Sequence, residues 1–352
     1  MSPRLPRIHS YLKQKGLDGL IISAESNISY LCEYACRDAY LLICQKENIY
    51  FTDSRYIEEV KKNLSGCRII KANGSVFKLI AQACTELRLK RIAFEERSLP
   101  FAEYAKISEN LKKGAKLIPT HNLIEALRQV KGIEELKKIK KAIWITKEAF
   151  GFIKSFIAAG RREIEVAAEL ERFIRYKGAS SSAFDIIVAS GPNSRFPHHL
   201  TSLRKIKNNE TLLIDLGVDF KGYKSDLTRI FFLGKINSLN QDIYDTVKEA
   251  QARAIKKIKP AVKINEIDIA ARQYIAHKGY GKFFVHNTGH GIGLQIHEDP
   301  HISSNEGSEL KPGMVFTVEP GIYLPGRFGV RIEDMVLVSE NGCEVLSGAI
   351  DK

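Results

Sequence analysis

Carboxylates set inside otherwise apolar, strand-forming runs constrain this chain more than any other feature. Thr211-Leu-Leu-Ile-Asp215-Leu, Val315-Phe-Thr-Val-Glu319-Pro and Val330-Arg-Ile-Glu333-Asp-Met-Val each put an acid where a strand is due to be buried. A lone charge there is costly unless it is paired or binds a cation. The run from Thr211 to Phe232 also carries a hairpin signal, two apolar strands flanking a turn with Asp219 and Gly222. A symmetric turn centred between Phe220 and Lys221 predicts that Asp215 directly faces Asp226, with Cβ atoms about 4.5–5.5 Å apart on one sheet face. Two such carboxylates repel unless one is protonated or a cation lies between them. Asp219, in the turn, is expected to be solvated. Alternation along Val330–Val336 puts Glu333 on one face and Asp334 on the other, so Asp219 and Asp334 are expected to be spectators.

Histidines complement these acids. His286, His290 and His297 fall within twelve residues, interleaved with Gly289, Gly291 and Gly293, which allow backbone to approach a ligand closely. The G-x-G-x-G spacing has no strand–helix frame and is not a dinucleotide fingerprint, and there is no H-E-x-x-H helix. Four carboxylates and one histidine make an oxygen-rich donor set that suits manganese or a similar divalent ion better than a thiolate zinc centre. Two such ions about 3.5–4 Å apart can activate a water and polarise a carbonyl, which points to amide hydrolysis. The six cysteines are scattered. Cys32 and Cys36 have metal-like spacing but no second Cys or His pair nearby, so reduced buried thiols in a cytoplasmic protein are expected.

The rest of the chain supplies a frame. Residues 1–122 predict strands at Gly19–Ile22, Tyr40–Cys44, Ile49–Phe51 and Arg91–Phe94 and helices at Ser54–Asn63 and Ser75–Leu89, a small α/β domain without a catalytic cluster of its own. Residues 123–352 predict two helices (Ile133–Ala158, Glu163–Lys177) and strands (Phe184–Ala189, Thr211–Gly217, Tyr223–Leu233). Two more helices (Asn240–Lys259, Asn265–Lys278) and strands (Met314–Glu319, Val330–Ser339) follow. This is an α+β architecture with a duplicated order, and Asn265 followed by Asp268 marks a helix start. The net charge of +13 is spread, 20 Lys+Arg against 13 Asp+Glu before residue 123 and 34 against 28 after it. Its lysines follow amphipathic helix patterns, as in Lys137–Lys141, so solvated helix faces and no nucleic-acid partner are expected. No apolar run approaches the roughly 18 residues of a membrane span. The basic segment Met1–Ser10, lacking an apolar core, does not read as a secretory signal.

Together these residues resemble the pita-bread metallopeptidases, and within them the Xaa-Pro dipeptidase (prolidase) and aminopeptidase P branch. The resemblance rests on Asp215 and Asp226 eleven apart, HNTGHGIGL around His290, FTVEPGIY around Glu319 and GVRIEDMVLV around Glu333. GLDGLIISAESNISYL and YFTDSRY are similar to the creatinase-type domain that precedes the catalytic domain in this branch. It spans essentially the whole chain and implies a creatinase-type domain at 1–122 and a pita-bread catalytic domain at 123–352. It further implies two divalent metal ions, manganese first and otherwise cobalt or zinc. Asp215 would hold one, Asp226 and Glu333 would bridge both, and His290 with Glu319 would hold the other. Substrate roles are implied for His198 in GPNSRFPHH, His286, His297, Tyr323 and Arg331, with Glu319 and His297 as the catalytic proton-transfer groups. Adjacent residues in an extended segment face opposite ways, so only one of His198 and His199 is expected at the substrate, and the motif selects His198.

The branch also implies a homodimer with one subunit's N-terminal domain near the other's active-site mouth. The expected reaction is hydrolysis of the bond before proline, whose nitrogen carries no hydrogen and whose ring fixes φ. A dipeptidase would recognise proline's free carboxylate; an aminopeptidase acting on longer peptides would leave that side open. A methionine aminopeptidase shares the ligand set but normally lacks the preceding domain. A non-catalytic peptidase-like binding protein usually loses ligands, and here every ligand position is occupied.

Overall fold

The computed structural model describes residues 4–348, and the chain divides into two compact units, Met1–Leu127 and Arg128–Lys352. In the first, β1 (Gly19–Ile22), β2 (Tyr40–Cys44), β3 (Asn48–Thr52), β4 (Arg68–Lys71), β5 (Arg91–Glu95) and β6 (Lys116–Thr120) form one sheet in the order β4-β3-β2-β1-β5-β6. β2 runs antiparallel to β1 and β3, and the other neighbours are parallel. Helices Ile57–Asn63 and Phe101–Asn110 return the chain between the parallel pairs β3–β4 and β5–β6. The central strands are buried on both faces, which is why they read as continuous apolar runs. Ile21, Leu42 and Phe51 share a core with Ile80 and Cys84 of the helix Val76–Glu86. All six cysteines are free, four buried and two half-buried.

The second unit repeats one plan, as the sequence predicts. Helices Ile133–Ile153 and Glu163–Tyr176 precede strands Ile187–Ser190, Glu210–Leu216 and Leu227–Leu233. Helices Ser238–Lys257 and Asn265–His277 precede strands Gly289–Gly291, Glu298–Ile302, Val315–Val318 and Asp334–Ser339. Ile139, Phe150, Leu170 and Ile174 of the first helix pair pack with Leu212, Ile214 and Leu216. Ile243, Val247, Ile267 and Ile275 of the second gather with Leu213, Phe316 and Val336. One strand thus serves both cores by alternation, and Asp215 shares the face of Leu213.

Three expectations change in detail. The hairpin turns one residue later than a symmetric turn predicts. Lys221 and Gly222, with φ of +52° and +85°, form its two-residue turn, the combination that matches the twist of the flanking strands. Phe220 therefore pairs with Tyr223 and Asp215 with Thr228, so Asp215 and Asp226 are diagonal and not directly opposed. The slip is a full two-residue period, and the aspartates keep their common face. Val330–Ser339 is not one strand: Gly329–Arg331 pairs with Gly321–Tyr323, whereas Asp334–Ser339 pairs with Val315–Val318, and the chain changes sheet at Ile332 and Glu333. The helix Asn265–His277 starts without a side-chain cap, because the Ile264 and Asn265 amides donate to the carbonyls of Ser308 and Glu306.

Gly217 interrupts the hairpin ladder where backbone comes close. A Cβ there would stand 2.4 Å from Phe184 Cε1, 2.5 Å from the Ser225 carbonyl oxygen and 2.9 Å from Ala183 Cβ. Gly217→Ala is predicted to destabilise the catalytic unit by about 1–3 kcal/mol, the usual cost of overpacking. Gly151→Ala, on a helix with nothing within 4 Å of the added carbon, should be neutral or slightly stabilising. Urea unfolding of the two variants beside the parent checks this.

Candidate metal centre

The five donor residues singled out in the sequence line one cavity of about 950 Å³ in the second unit. Each arrives from a strand margin or from a strand too short to carry it away. Asp215 is one residue from the end of Glu210–Leu216, Asp226 sits just ahead of Leu227–Leu233, and His290 is the middle of Gly289–Gly291. Glu319 follows Val315–Val318, where Pro320 halts the ladder. Glu333 occupies the change of sheet.

Donor atoms of Asp226, His290 and Glu333 lie within 4.8 Å of one another. His290 Nε2 is 3.3 Å from Glu319 Oε1 and 3.5 Å from Asp226 Oδ2. Its Nδ1 lies 3.1 Å from the Gly291 carbonyl, which can only accept, so in the neutral ring the proton sits on Nδ1 and the Nε2 lone pair faces the acids. Thr228 Oγ1 donates to Glu333 Oε2 at 2.7 Å and Thr317 Oγ1 to Glu319 Oε1 at 2.9 Å. Asp215 Oδ2 accepts from Arg331 Nη2 at 2.7 Å, while Asp215 Oδ1 is buried without a hydrogen-bond partner.

The charges in this cluster are unbalanced. Burial, and then the neighbouring Glu333, Asp215 and Glu319 carboxylates, push Asp226 well above the usual carboxylate range. Burial with Glu319 and Asp215 does the same to Glu333. Burial also raises Asp215, against the opposing pull of Arg331. At Glu319 burial is outweighed by His290, His286 and Arg331, and the carboxyl falls to about 2. Burial works against charge on His290, but the Glu319 carboxylate overcomes it and raises the imidazole. Four buried carboxylates, an imidazole lone pair and an orphaned oxygen are the surroundings a divalent cation fits, since it lets all the acids ionise together.

A second layer holds these donors. Arg229, 1% exposed, donates from Nη1 to the carbonyls of Thr228 and Glu333 and from Nη2 to Asp334 Oδ1 at 2.7 Å. Ser347 Oγ donates to the same Asp334 oxygen. Asp334 is therefore not the spectator expected: it does point away from the cluster, but into a dry layer where Arg229 needs it. Asp219 is half-buried, accepting from the Gly222 amide and pairing with Lys224. Asp268, read as a helix-start residue, is fully buried and pairs with Arg272 and Thr288. Arg272 also donates to the carbonyls of Phe284 and His286.

Arg331 Nη1 donates to Tyr323 Oη and to the Pro197 carbonyl. Tyr323 Oη donates to His286 Nε2, whose Nδ1 proton goes to the Asn287 carbonyl. Burial keeps His286 below the ordinary imidazole range and takes Tyr323 up to about 12. Tyr323 stands behind His286 and Arg331 and does not itself line the cavity, because its hydroxyl is spent between them. His198 and His297 do line it. The His297 ring packs edge-on against His290, centroids 4.4 Å apart, and is lowered by burial and by the imidazoles of His290, His198 and His301. His199 turns to Glu163, 2.9 Å away, a fully buried carboxylate that also accepts from Ser190, Asn193 and Ser202. Ile164, Ala167, Phe184 and Ile187 supply an apolar wall. Sequence reasoning missed Arg229, Arg272, Glu163 and this wall, whose partners lie far along the chain.

Comparison with known proteins follows the same division. Residues 4–130 match the creatinase/prolidase N-terminal domain and residues 137–340 match metallopeptidase family M24. An Xaa-Pro dipeptidase of Pyrococcus furiosus is 36% identical over 99% of this chain and 98% of its own. The solved structure of an Xaa-Pro dipeptidase from Bacillus anthracis superposes with a TM-score of 0.95 at 40% identity, covering 99% and 98% of the two chains. That of an X-Pro aminopeptidase from Thermotoga maritima superposes with 0.89 at 36% identity, covering 98% and 97%.

Asp334→Asn is predicted to destabilise the catalytic unit by about 3–5 kcal/mol, because it strands the Arg229 charge in the interior. Replacing both partners, Arg229→Met with Asp334→Leu, should cost clearly less, and Asp219→Asn should lie within about 0.5 kcal/mol of the parent. Denaturant unfolding of the set tests the order.

Proposed function

The chain belongs to metallopeptidase family M24, with a creatinase/prolidase-type N-terminal domain, and on that premise we propose that it cleaves the peptide bond before proline as an Xaa-Pro dipeptidase. The observation that carries this reading is the convergence of Asp215, Asp226, His290, Glu319 and Glu333 on one cavity, beside imidazoles that hold no metal-facing position. Similar proteins named Xaa-Pro dipeptidase, matched over nearly the whole chain, support the substrate class. Action on longer peptides is the second reading. It is favoured by the apolar wall running through the cavity and by the similarity to the Thermotoga maritima aminopeptidase.

In this proposal Asp215 holds one divalent ion, Asp226 and Glu333 bridge two, and His290 and Glu319 hold the second. The hard oxygen donors favour manganese. When bound, the ions supply Lewis-acid activation of water and of the scissile carbonyl. The chain's own groups do the rest. Thr317 and His290 both engage Glu319 Oε1, leaving Oε2 to take the proton of the attacking water. His297 carries a proton to the proline nitrogen, which would otherwise leave as a very poor anionic leaving group. Arg331 fixes Asp215 and the Pro197 carbonyl, and so the segment that presents His198. Residues 1–122 act as the creatinase-type domain and residues 123–352 as the catalytic one, in a homodimer. That assembly is supported by a first unit with no cluster of metal-binding groups among its described residues. A cytoplasmic location is supported by six free cysteines, and no helix among the described residues is long and apolar enough to cross a membrane.

Hydrolysis of Xaa-Pro compared with Xaa-Pro-Yaa peptides decides between the two readings, and a chain that cuts neither has another function. Asp226→Asn and Glu333→Gln are each expected to abolish turnover with the fold retained. Near-normal turnover of metal-saturated Glu333→Gln would remove it from the centre. His297→Ala should keep two metals per chain and lose on the order of 10²–10⁴ in kcat. Metal content and kcat measured on one sample separate a ligand, which loses metal, from a bystander, which loses neither.

A further inference from the structure

A dipeptide differs from a longer peptide in the free carboxylate beside its proline ring, so a preference for dipeptides needs a donor for that group. Few candidates line the cavity. No lysine does, and Arg331 is the one guanidinium along it. Arg331 spends itself inside the protein, with Nε on Thr228 Oγ1, Nη1 on Tyr323 and the Pro197 carbonyl, and Nη2 on Asp215. His199 is held by Glu163, and His286 by Tyr323 and the Asn287 carbonyl. His297 is packed against His290.

His301 is different. It lies in the strand Glu298–Ile302, whose Glu298, Pro300 and Ile302 are buried, and its own side chain, 55% exposed, projects from the other face. Its Nε2 is 3.8 Å from Asp299 Oδ1, beyond hydrogen-bond reach, so its ring protons are uncommitted. In register it pairs with His290, which places it one strand away from the donor cluster, and it lines the cavity. His198, the other uncommitted imidazole, lines the same cavity, and both influence the His297 ring, so the three imidazoles gather around one part of it.

We propose that His301 recognises the free carboxylate of the substrate's proline through a ring N–H, alongside His198, and thereby sets a preference for dipeptides. The inference rests on the Xaa-Pro reading and adds a residue that this reading does not need for chemistry. A ring N–H donating to a carboxylate is a charge-assisted bond, stronger than one between neutral groups. The same donor contributes little to a substrate whose carboxylate is replaced by an amide.

The test compares metal-loaded wild type, His301→Ala and His301→Gln on Ala-Pro and on Ala-Pro amide. In His301→Ala the ratio of kcat/KM for Ala-Pro to that for the amide should fall on the order of 10- to 100-fold, mainly through KM. His301→Gln, which keeps an N–H donor, should recover a large part of that ratio. An unchanged ratio overturns the proposal, whether both substrates decline together or neither does, and so does a Gln variant no better than Ala. A wild-type enzyme that cleaves neither substrate overturns the Xaa-Pro reading itself, and the proposal with it.

Discussion

Four carboxylates in one buried site repel one another more strongly than the surrounding strands alone could tolerate, and the architecture of the catalytic unit answers that repulsion. The strands that deliver the acids are apolar on both sides of each charge, so the local medium screens poorly. Partial compensation is built from the chain: Arg331 against Asp215 and His290 against Glu319. Asp226 and Glu333 have no such cation, and both are pushed toward the protonated form by burial and by each other's company. A divalent ion removes that conflict. The same repulsion that makes the cluster unfavourable by itself is what gives it affinity for metal.

Holding the acids close requires backbone that cannot drift. Three guanidiniums do this in the same manner, each joining a carboxylate to a main-chain carbonyl of the site. Arg229 ties Asp334 to Glu333, Arg331 ties Asp215 to Pro197, and Arg272 ties Asp268 to His286. A planar fork with several fixed donors suits this task, and a lysine ammonium could not span the same pair of acceptors with the same directionality. Two buried carboxylates act in the opposite sense. Glu163 collects donors from the segment carrying His198 and His199, and Glu298 accepts from Arg128 and from the Gln295 amide beside His297. Gly293 leaves room for that carboxylate, since a Cβ there would stand 2.9 Å from Glu298 Oε2. The substrate-facing histidines thus rest on ionic frames and not on loose loops.

Specificity and chemistry are carried by different parts of this arrangement. The donors come from strand margins, whose positions follow from the packing of two cores on either side of a shared strand. The imidazoles facing the cavity come from connecting segments and from a strand edge, where side chains can change without disturbing either core. This separation lets one metal centre serve peptides of different length.

The sequence by itself determined which residues could form the centre and which face of each strand they occupy. Residue type and two-residue alternation are local properties, and a register slip of two residues left the facing of Asp215 and Asp226 intact. The duplicated order of helices and strands was legible for the same reason, from periodicity and breakers. The tertiary structure alone decided the exact register, through two positive φ angles at Lys221 and Gly222. It also decided that Asp334 is buried against Arg229, that His199 turns to Glu163, and that Tyr323 stands behind Arg331. Each of these depends on a partner between 8 and 105 residues away in the chain or on a backbone angle. No local pattern encodes such partners, because whether a charged side chain meets water or a counter-charge is set only when distant strands are brought together.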